Sequence, residues 1–242
     1  MPERGRVLFG STTIEYSVIR SERRKKTVDI TLDPYDGVMV AVPAAASAAD
    51  VQAVVTRRAK WIVRKSKAGA IVPRPKQFVS GESIPYLGRQ VRMFVHEGTD
   101  KRFNVSFDHW SFRVTVPAGV NGVERRDGIR RELTAWHRAR AQARLEERVH
   151  RWAAILGCVE PRILTRSQRR RWGSCSPDGT IRFNWRIVMA DPALIDYVVV
   201  HELLHLGTRS HSAGFWAQMR RAMPDYKRRQ SRLRECGPYL SY

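Results

Sequence analysis

Two histidines and a glutamate in the carboxyl-terminal half have the spacing of a metal site. The segment DPALIDYVVVHELLHLG places His201 and His205 four residues apart, with Glu202 directly after the first. In a helix, residues four apart share one face with their Cβ atoms about 5–6 Å apart, so both imidazoles can bind one ion. Glu202 then projects beside the ligands, where it can act as general base on a water that the ion activates. The pattern predicts metal-assisted hydrolysis.

A third histidine completes the predicted ligand set. A catalytic zinc takes three protein ligands and keeps one position open for water. We expect Gly207 to end the helix in the left-handed conformation and turn the chain back, so that His211 reaches the ion. Three imidazole ligands favour Zn²⁺ over magnesium or calcium as the cofactor. A following helix that holds His211 is predicted by a buried stripe of Phe215, Trp216, Met219 and Met223.

Other interpretations of these residues are less well supported. Ordinary helix histidines would not need a third histidine beyond a glycine break. The metzincin pattern HExxHxxGxxH has the third histidine at the same offset, but Gly207 comes one residue too early and no Met-turn follows. A purely structural zinc would leave one coordination position open and Glu202 without a role. The group that stabilises the oxyanion is not identified, although Arg209 and Tyr226 lie nearby in the sequence.

The remaining histidines and the cysteines are not predicted to belong to the site. The histidines have no partner at ligand spacing and are expected on the surface or in the core; they are His96, His109, His137 and His150. The three cysteines are widely spaced, which favours reduced thiols over disulfides. Cys175 lies in the run RWGSCS, where a packing role is favoured over a ligand or nucleophile.

The elements that must position the helix of the site can be read from the surrounding sequence. Asp191 followed by Pro192 predicts a helix start, with an N-cap and a proline at the first helical position. Two strands are predicted before it, at residues 162–166 and 180–188, flanking a turn at 177–179. A long helix over about 124–156 carries an apolar stripe and leans on this region.

The amino-terminal half predicts strands arranged in a weak internal repeat. Strands within residues 13–42 turn at 33–37 and precede a helix that ends near Lys67, with a start signal at Ser47 and Asp50. Gly69–Lys76 is the best linker candidate. Further strands follow at residues 90–95, 102–107 and 111–116, and the sequence then repeats Val-Pro-Ala before another helix containing a tryptophan. We therefore expect a basic strand-rich region at 1–118 and a domain with the predicted metal site at 119–242.

The sequence resembles the YgjP-like metallopeptidases, relatives of the SprT-like and WLM groups of minigluzincin-type zinc proteases. The likeness is carried by the run from Arg171 to Lys227 and, nearer the amino terminus, by Gly81-Glu82 and Tyr86-Leu87-Gly88-Arg89. It implies an α+β fold with a small zincin-like helical domain and a short antiparallel sheet. It also implies a zinc site of His201, His205 and His211, and a sheet edge for an extended peptide substrate near Trp172–Ser176 and Asn184.

Composition limits the remaining classes of function. The chain has 242 residues, of which 43% are hydrophobic, so it can bury a core, and a disordered or fibrous protein is excluded. It contains neither a membrane-spanning run nor a secretory signal, so we expect a cytoplasmic protein without a membrane partner. The net charge of +21 attracts polyanions, and the balance between DNA or RNA association and solvated basic faces stays open. The alternative function is a basic nucleic-acid-associated protein with a regulatory or structural zinc.

Overall fold

The computed structural model divides the chain into two compact units, Met1–Pro75 and Lys76–Tyr242. It describes residues 3–10, 12–22, 24–33, 37–67, 76–168, 171–240 and 242. The division falls at the predicted linker, of which residues 69–75 lie outside the described residues, and so does the tip of the predicted turn at 34–36. It differs from the division at residue 118, because the strands that end at Pro117 share a core with the helices that follow them.

The described residues of the first unit form a four-stranded sheet and one helix. The strand order is β1-β2-β4-β3, in which the central pair is parallel and both outer pairs are antiparallel. Its core consists of residues from the strands and from one face of the helix, among them Val40, Val55 and Ile62. The elements are β1 (Glu3–Phe9), β2 (Thr12–Ser21), β3 (Asp29–Asp33), β4 (Gly37–Pro43) and α1 (Ala48–Lys67).

A capping box starts α1, as the sequence predicts. The hydroxyl of Ser47 accepts from the amide of Asp50 at 3.1 Å, and the Asp50 carboxylate accepts from the amide of Ser47 at 3.2 Å. Each side chain satisfies a backbone donor that the first helical turn leaves unpaired. The hydrogen bond from the Ser47 hydroxyl lowers the pKa of Asp50 and keeps it charged at the positive end of the helix.

The second unit begins with a sheet of the same strand order and directions. Here the order is β5-β6-β8-β7, again with a parallel central pair, a Val-Pro at the end of the last strand and a long helix afterwards. The two four-stranded sheets are thus alike in topology as well as in their sequence signals. The elements are β5 (Ser83–Tyr86), β6 (Arg89–Gly98), β7 (Asn104–Phe107), β8 (Ser111–Pro117) and α2 (Gly122–Leu156).

Helix α2 connects this sheet to the region of the predicted site. Its buried residues recur every four positions from Ile129 to Ala153, which forms one continuous apolar face. His137 lies in this face and is fully buried, with its ring nitrogens within 3.1 Å of the Pro85 and Leu133 carbonyl oxygens. Burial lowers the pKa of His137 and keeps the ring neutral, so it is a core histidine, as predicted.

The remaining elements form a smaller sheet and three short helices. The helices are α3 (Pro192–Leu204), α4 (Ala213–Ala222) and α5 (Tyr226–Cys236), and the strands are β9 (Ile163–Arg166), β10 (Gly173–Cys175) and β11 (Ile181–Asn184). Strand β11 pairs antiparallel with β10 and parallel with β9. The prediction of an antiparallel sheet is therefore wrong, and the sheet is mixed. Together the described elements give a mixed α and β fold, and the described residues form three small sheets.

The strand predicted to continue to Val188 ends at Asn184. Residues Trp185–Met189 form a 3-10 helix instead, and the Asn184 side-chain oxygen accepts from the Arg186 amide at 3.1 Å. Asparagine competes for nearby backbone donors in this way and ends regular pairing. In the part of the chain that the structure describes, no helix is both long and apolar enough to cross a membrane.

The turn between β5 and β6 depends on a glycine. Gly88 has φ +76°, its amide donates to the Met189 carbonyl oxygen at 3.0 Å, and an added Cβ would lie 2.9 Å from the Asp191 Cα. We expect Gly88→Ala to lower the free energy of unfolding by about 1–3 kcal/mol, because it adds backbone strain and a collision with main chain. Calorimetric unfolding measures this change.

Gly119→Ala is the matched control. Gly119 has φ +78°, but an added Cβ there would meet no described heavy atom within 4 Å. It should therefore cost only the strain of the left-handed conformation, about 1–2 kcal/mol. Equal destabilisation by the two substitutions would contradict the close contact between Gly88 and Asp191.

Candidate metal centre

Helix α3 positions the first two histidines. It starts as predicted, because the Asp191 carboxylate accepts from the Ala193 amide at 2.8 Å and Pro192 occupies the first turn. Its side chains are buried on nearly every face, so α3 lies inside the second unit and its last turn is fixed by packing. Arg148 and the Trp152 indole of α2 both bond to the Asp196 carboxylate, which ties the two helices together.

The chain leaves α3 through a hydrogen-bonded turn rather than through a left-handed glycine. Gly207 is not among the described glycines with positive φ, so that prediction is wrong. The helix ends at His205, and the amides of Leu206, Gly207 and Thr208 donate to carbonyl oxygens of the last turn. The Nδ1 atom of His205 lies 2.8 Å from the Thr208 carbonyl oxygen, which can only accept. In the neutral ring, Nδ1 therefore carries the proton and Nε2 has the lone pair.

Aromatic packing around α4 holds the third histidine. Ser212 caps α4 by accepting from the Phe215 amide, and His211 comes directly before this cap. The Phe215 ring stacks on His205 with centroids 4.7 Å apart, and the Trp216 ring stacks on His211 at 5.6 Å. Because Phe215 is fully buried, the helix that fixes His211 is itself fixed by the core.

The three imidazoles converge through their Nε2 atoms. The Nε2 of His211 lies 3.0 Å from that of His201 and 3.2 Å from that of His205. In a tetrahedral zinc site with Zn–N bonds of about 2.0–2.1 Å, ligand nitrogens are separated by about 3.3 Å. The separations in this cluster are close to that value, and all three side chains offer a donor atom that zinc prefers. The residues present fit a metal ion.

The cluster keeps His201 and His211 in the neutral form that binds metals. The pKa of His201 is lowered to about 4, chiefly by burial and to a smaller extent by the neighbouring His205 and His211. The pKa of His211 is also lowered, chiefly by burial and to a smaller extent by His205. Neutral imidazoles at neutral pH present lone pairs and do not have to lose a proton when an ion binds.

Glu202 lies beside the cluster and is 5% exposed. Burial raises its pKa to about 7, and the positive charge of Arg171 acts in the opposite direction. The carboxylate packs against β10 at Gly173, where an added Cβ would lie 2.5 Å from the Glu202 Cγ and 2.6 Å from Oε1. Only glycine leaves this space for the carboxylate.

A cavity of about 320 Å³ opens onto the cluster and Glu202. Strand β10 and the turn after it form one wall, the end of α3 forms another, and Arg209 lies at the rim. Its lining residues are Arg171, Gly173, Ser174, Cys175, Ser176, Pro177, His201, Glu202, His205, Arg209 and His211. The three histidines are therefore accessible to a small molecule or a chain segment from this side.

Asn184 stabilises the β10 wall of the cavity without lining the cavity itself. Its amide nitrogen donates to the carbonyl oxygens of Gln168 at 2.7 Å and Arg171 at 3.4 Å, and its backbone amide donates to Trp172 at 2.8 Å. Asn184 is buried and does not line the cavity. It holds the start of β10 in position.

Comparison with known proteins identifies the family. The family model described as "YgjP-like, metallopeptidase domain" matches residues 26–236 of the chain. The chain belongs to the YgjP-like metallopeptidase family. The structure is similar to the metallopeptidase zymogen abylysin of Pyrococcus abyssi, with 24% identity and a TM-score of 0.35, over 37% of this chain and 90% of that one. It is also similar to the zymogen jannalysin of Methanocaldococcus jannaschii, with 19% identity and a TM-score of 0.35, over 38% and 94%. The comparison with curated proteins finds no match.

Membership of a metallopeptidase family implies a metal ion, and the histidine cluster is where this YgjP-like chain could hold one. The structure brings together all three predicted histidines and places Glu202 beside them. Of the other predicted neighbours, Arg209 lines the cavity, whereas Tyr226 is buried behind Trp216. Cys175 lines the cavity as an unpaired thiol whose pKa is raised, chiefly by burial.

We expect Zn²⁺ to raise the thermal unfolding midpoint of this YgjP-like protein. An ion that binds only the folded state at about 100 times its Kd adds about 2.7 kcal/mol of stability. The increment should be lost when a chelator is added and should be much smaller in His211→Ala, which removes one of the three ligands. His150→Ala, at an exposed site outside the cluster, is the control and should keep the full increment. An unchanged increment in His211→Ala would contradict binding at the cluster.

Proposed function

We propose that this protein is a zinc-dependent metallopeptidase in which His201, His205 and His211 bind the ion and Glu202 is the general base. The observation that carries the proposal is the convergence of three imidazole Nε2 atoms beside a buried carboxylate at the wall of an open cavity. Membership of a metallopeptidase family supports peptide bonds as the target. We also propose the zincin-like, minigluzincin-type domain that the sequence resemblance implies.

Zinc fits these ligands better than a harder cation does. Three imidazole nitrogens are typical of zinc, whereas magnesium and calcium prefer oxygen ligands. When bound, zinc supplies Lewis-acid polarisation of a carbonyl and lowers the pKa of water. The hydrogen bond from the Nδ1 of His205 to the Thr208 carbonyl oxygen orients this ring and raises its basicity as a ligand.

Glu202 is suited to move a proton in this reaction. Burial raises the pKa of Glu202 to about 7, because it disfavours the charged carboxylate. The carboxylate therefore readily accepts a proton. In the proposed mechanism it takes the proton of the attacking water and delivers it to the amine nitrogen that leaves the cleaved peptide bond. Glu202 then returns to its charged form, and one water is consumed for each peptide bond.

An extended polypeptide fits the wall formed by β10. Among the described strands of its sheet, β10 has a neighbour on one side only, so its outer edge offers backbone hydrogen-bonding groups. The same residues, Gly173 to Cys175, line the cavity next to the histidine cluster. A substrate strand that paired with this edge would bring its backbone carbonyls to the cluster. We propose a protein or peptide substrate that binds in this way.

A purely structural zinc explains the site less well. A structural ion is closed off by four protein ligands, whereas this cluster contains three histidines and opens onto a cavity. A structural role also gives no reason for a carboxylate buried against Gly173 beside the cluster. Both features are what a hydrolytic site requires.

The proposal predicts that Glu202→Gln abolishes hydrolysis and keeps the metal. Loss of a general base lowers turnover by about 10²–10⁴-fold, while the three ligands are unchanged. Cleavage of an unfolded protein such as casein and zinc content by mass spectrometry should be measured together. Glu235→Gln, on the exposed face of α5, is the matched control and should resemble wild type. Full activity of Glu202→Gln would refute the assigned role.

Gly173→Ala tests the position of the carboxylate without removing it. The added Cβ requires Glu202 to shift, because it would lie within 2.7 Å of three atoms of that side chain. We expect zinc content to be kept and kcat for casein cleavage to fall. A kcat equal to that of wild type would show that the position of the carboxylate against β10 is unimportant.

A further inference from the structure

A tryptophan is presented to solvent at the turn between β7 and β8. Trp110 is 77% exposed, the most exposed aromatic side chain among the large exposed apolar residues of the described chain. It follows His109, which has φ +72°, a conformation that costs energy in a residue other than glycine. Exposure of so large an apolar ring is unfavourable in water, and tryptophan is enriched at binding interfaces.

The turn that carries Trp110 is held by a network centred on Asp108. The Asp108 carboxylate accepts from the amides of Ser111 at 2.7 Å and Trp110 at 3.0 Å, and from the Arg113 Nε at 3.0 Å. These hydrogen bonds, of which the one from the Ser111 amide contributes most, hold the pKa of Asp108 well below its usual range. The turn is therefore fixed before any partner binds, which reduces the entropic cost of binding.

One arginine lies over this tryptophan, and three arginines line an adjacent cavity. The Arg89 guanidinium lies over the Trp110 ring, 5.6 Å from its centroid. The cavity, about 220 Å³, is lined by Arg89, by His109, and by Arg140 and Arg144 one helical turn apart on α2. Arg144 is bonded to the Glu147 carboxylate, whereas Arg140 lies over the Trp136 ring. The walls between them are aromatic and apolar, formed by Tyr86, Leu87, Val91 and Phe107.

We propose that Trp110 and this arginine-lined cavity bind a single strand of nucleic acid. Guanidinium groups bind phosphates, and an exposed indole gives a platform on which an unpaired base can stack. A duplex buries its bases in its own stack and offers only its backbone to such a platform. The net charge of +21 favours the approach of a polyanion. The lining residues of this cavity are separate from those of the histidine cavity, so the inference goes beyond the proposed peptidase activity.

An acidic protein segment fits the site less well. Carboxylates would also bind the arginines, but they provide no flat ring for Trp110. A strand of nucleic acid supplies phosphates and aromatic bases in alternation, which matches arginines placed beside an exposed aromatic ring. The proposal therefore commits to the nucleic acid, and an acidic peptide serves as a competitor in the test.

Fluorescence anisotropy with labelled single strands of about 15 nucleotides tests the site on the full chain. DNA and RNA strands of the same sequence are measured in parallel, and the strand that binds more tightly identifies which of the two nucleic acids the site prefers. We expect Trp110→Ala to weaken binding about tenfold and Trp110→Phe to keep most of it, because phenylalanine still stacks. Glu202→Gln should bind as wild type, so that this result is independent of peptide hydrolysis.

A pair of double variants separates the site from the overall charge. Arg140→Ala with Arg144→Ala should weaken binding and reduce the salt dependence by about 0.7 in log–log slope for each phosphate that these arginines neutralise. Arg220→Ala with Arg221→Ala removes the same charge from the exposed surface of α4 and should have a much smaller effect. Equal weakening in the two double variants, wild-type affinity of Trp110→Ala, or equally effective competition by polyglutamate would each overturn the proposal.

Discussion

The burial of α3 is the constraint on which the candidate site depends. Most of its side chains are enclosed by α2, α4, α5 and the small sheet, so the helix has little freedom to rotate or shift. Its last turn carries His201 and Glu202 and ends at His205. Burial fixes these residues in space and also sets their charge, since it lowers the pKa of His201 and raises that of Glu202. One packing arrangement thus supplies both the geometry of the cluster and the neutral form of His201 that metal binding needs.

The neighbouring elements complete the site from two sides. Helix α4 places His211 through the Ser212 cap and the stacking of Phe215 and Trp216 on the histidine rings of the cluster. Strand β10 supplies the opposite wall, where Gly173 leaves room for the Glu202 carboxylate. Asn184 secures the segment that leads into β10 through three hydrogen bonds. The site is therefore assembled from elements that are far apart in the sequence.

The sequence predicted the parts of this arrangement that local chemistry determines. The Asp191-Pro192 start of α3, the capping box of α1 and the apolar face of α2 all depend on residues within a few turns of one another. The convergence of the three histidines followed from the same spacing argument. The small sheet was predicted as antiparallel, but the pairing of β9 with β11 is set by packing between distant segments.

Two errors near the site also have physical causes. Gly207 was expected to adopt a left-handed conformation, but successive backbone hydrogen bonds close the turn without it. The strand before α3 was predicted to continue to Val188, whereas Asn184 caps a 3-10 helix there. The roles of Gly173 and Arg171 were not visible in the sequence, since they depend on the position of Glu202 in the folded chain.

The most direct test of the central claim is to locate the metal itself. Crystals grown with Zn²⁺ and measured on both sides of the zinc absorption edge reveal the ion by its anomalous scattering. The account predicts one strong peak within bonding distance, about 2.0–2.1 Å, of the Nε2 atoms of His201, His205 and His211. A peak at other residues, or zinc bound by only one of these histidines, would contradict it.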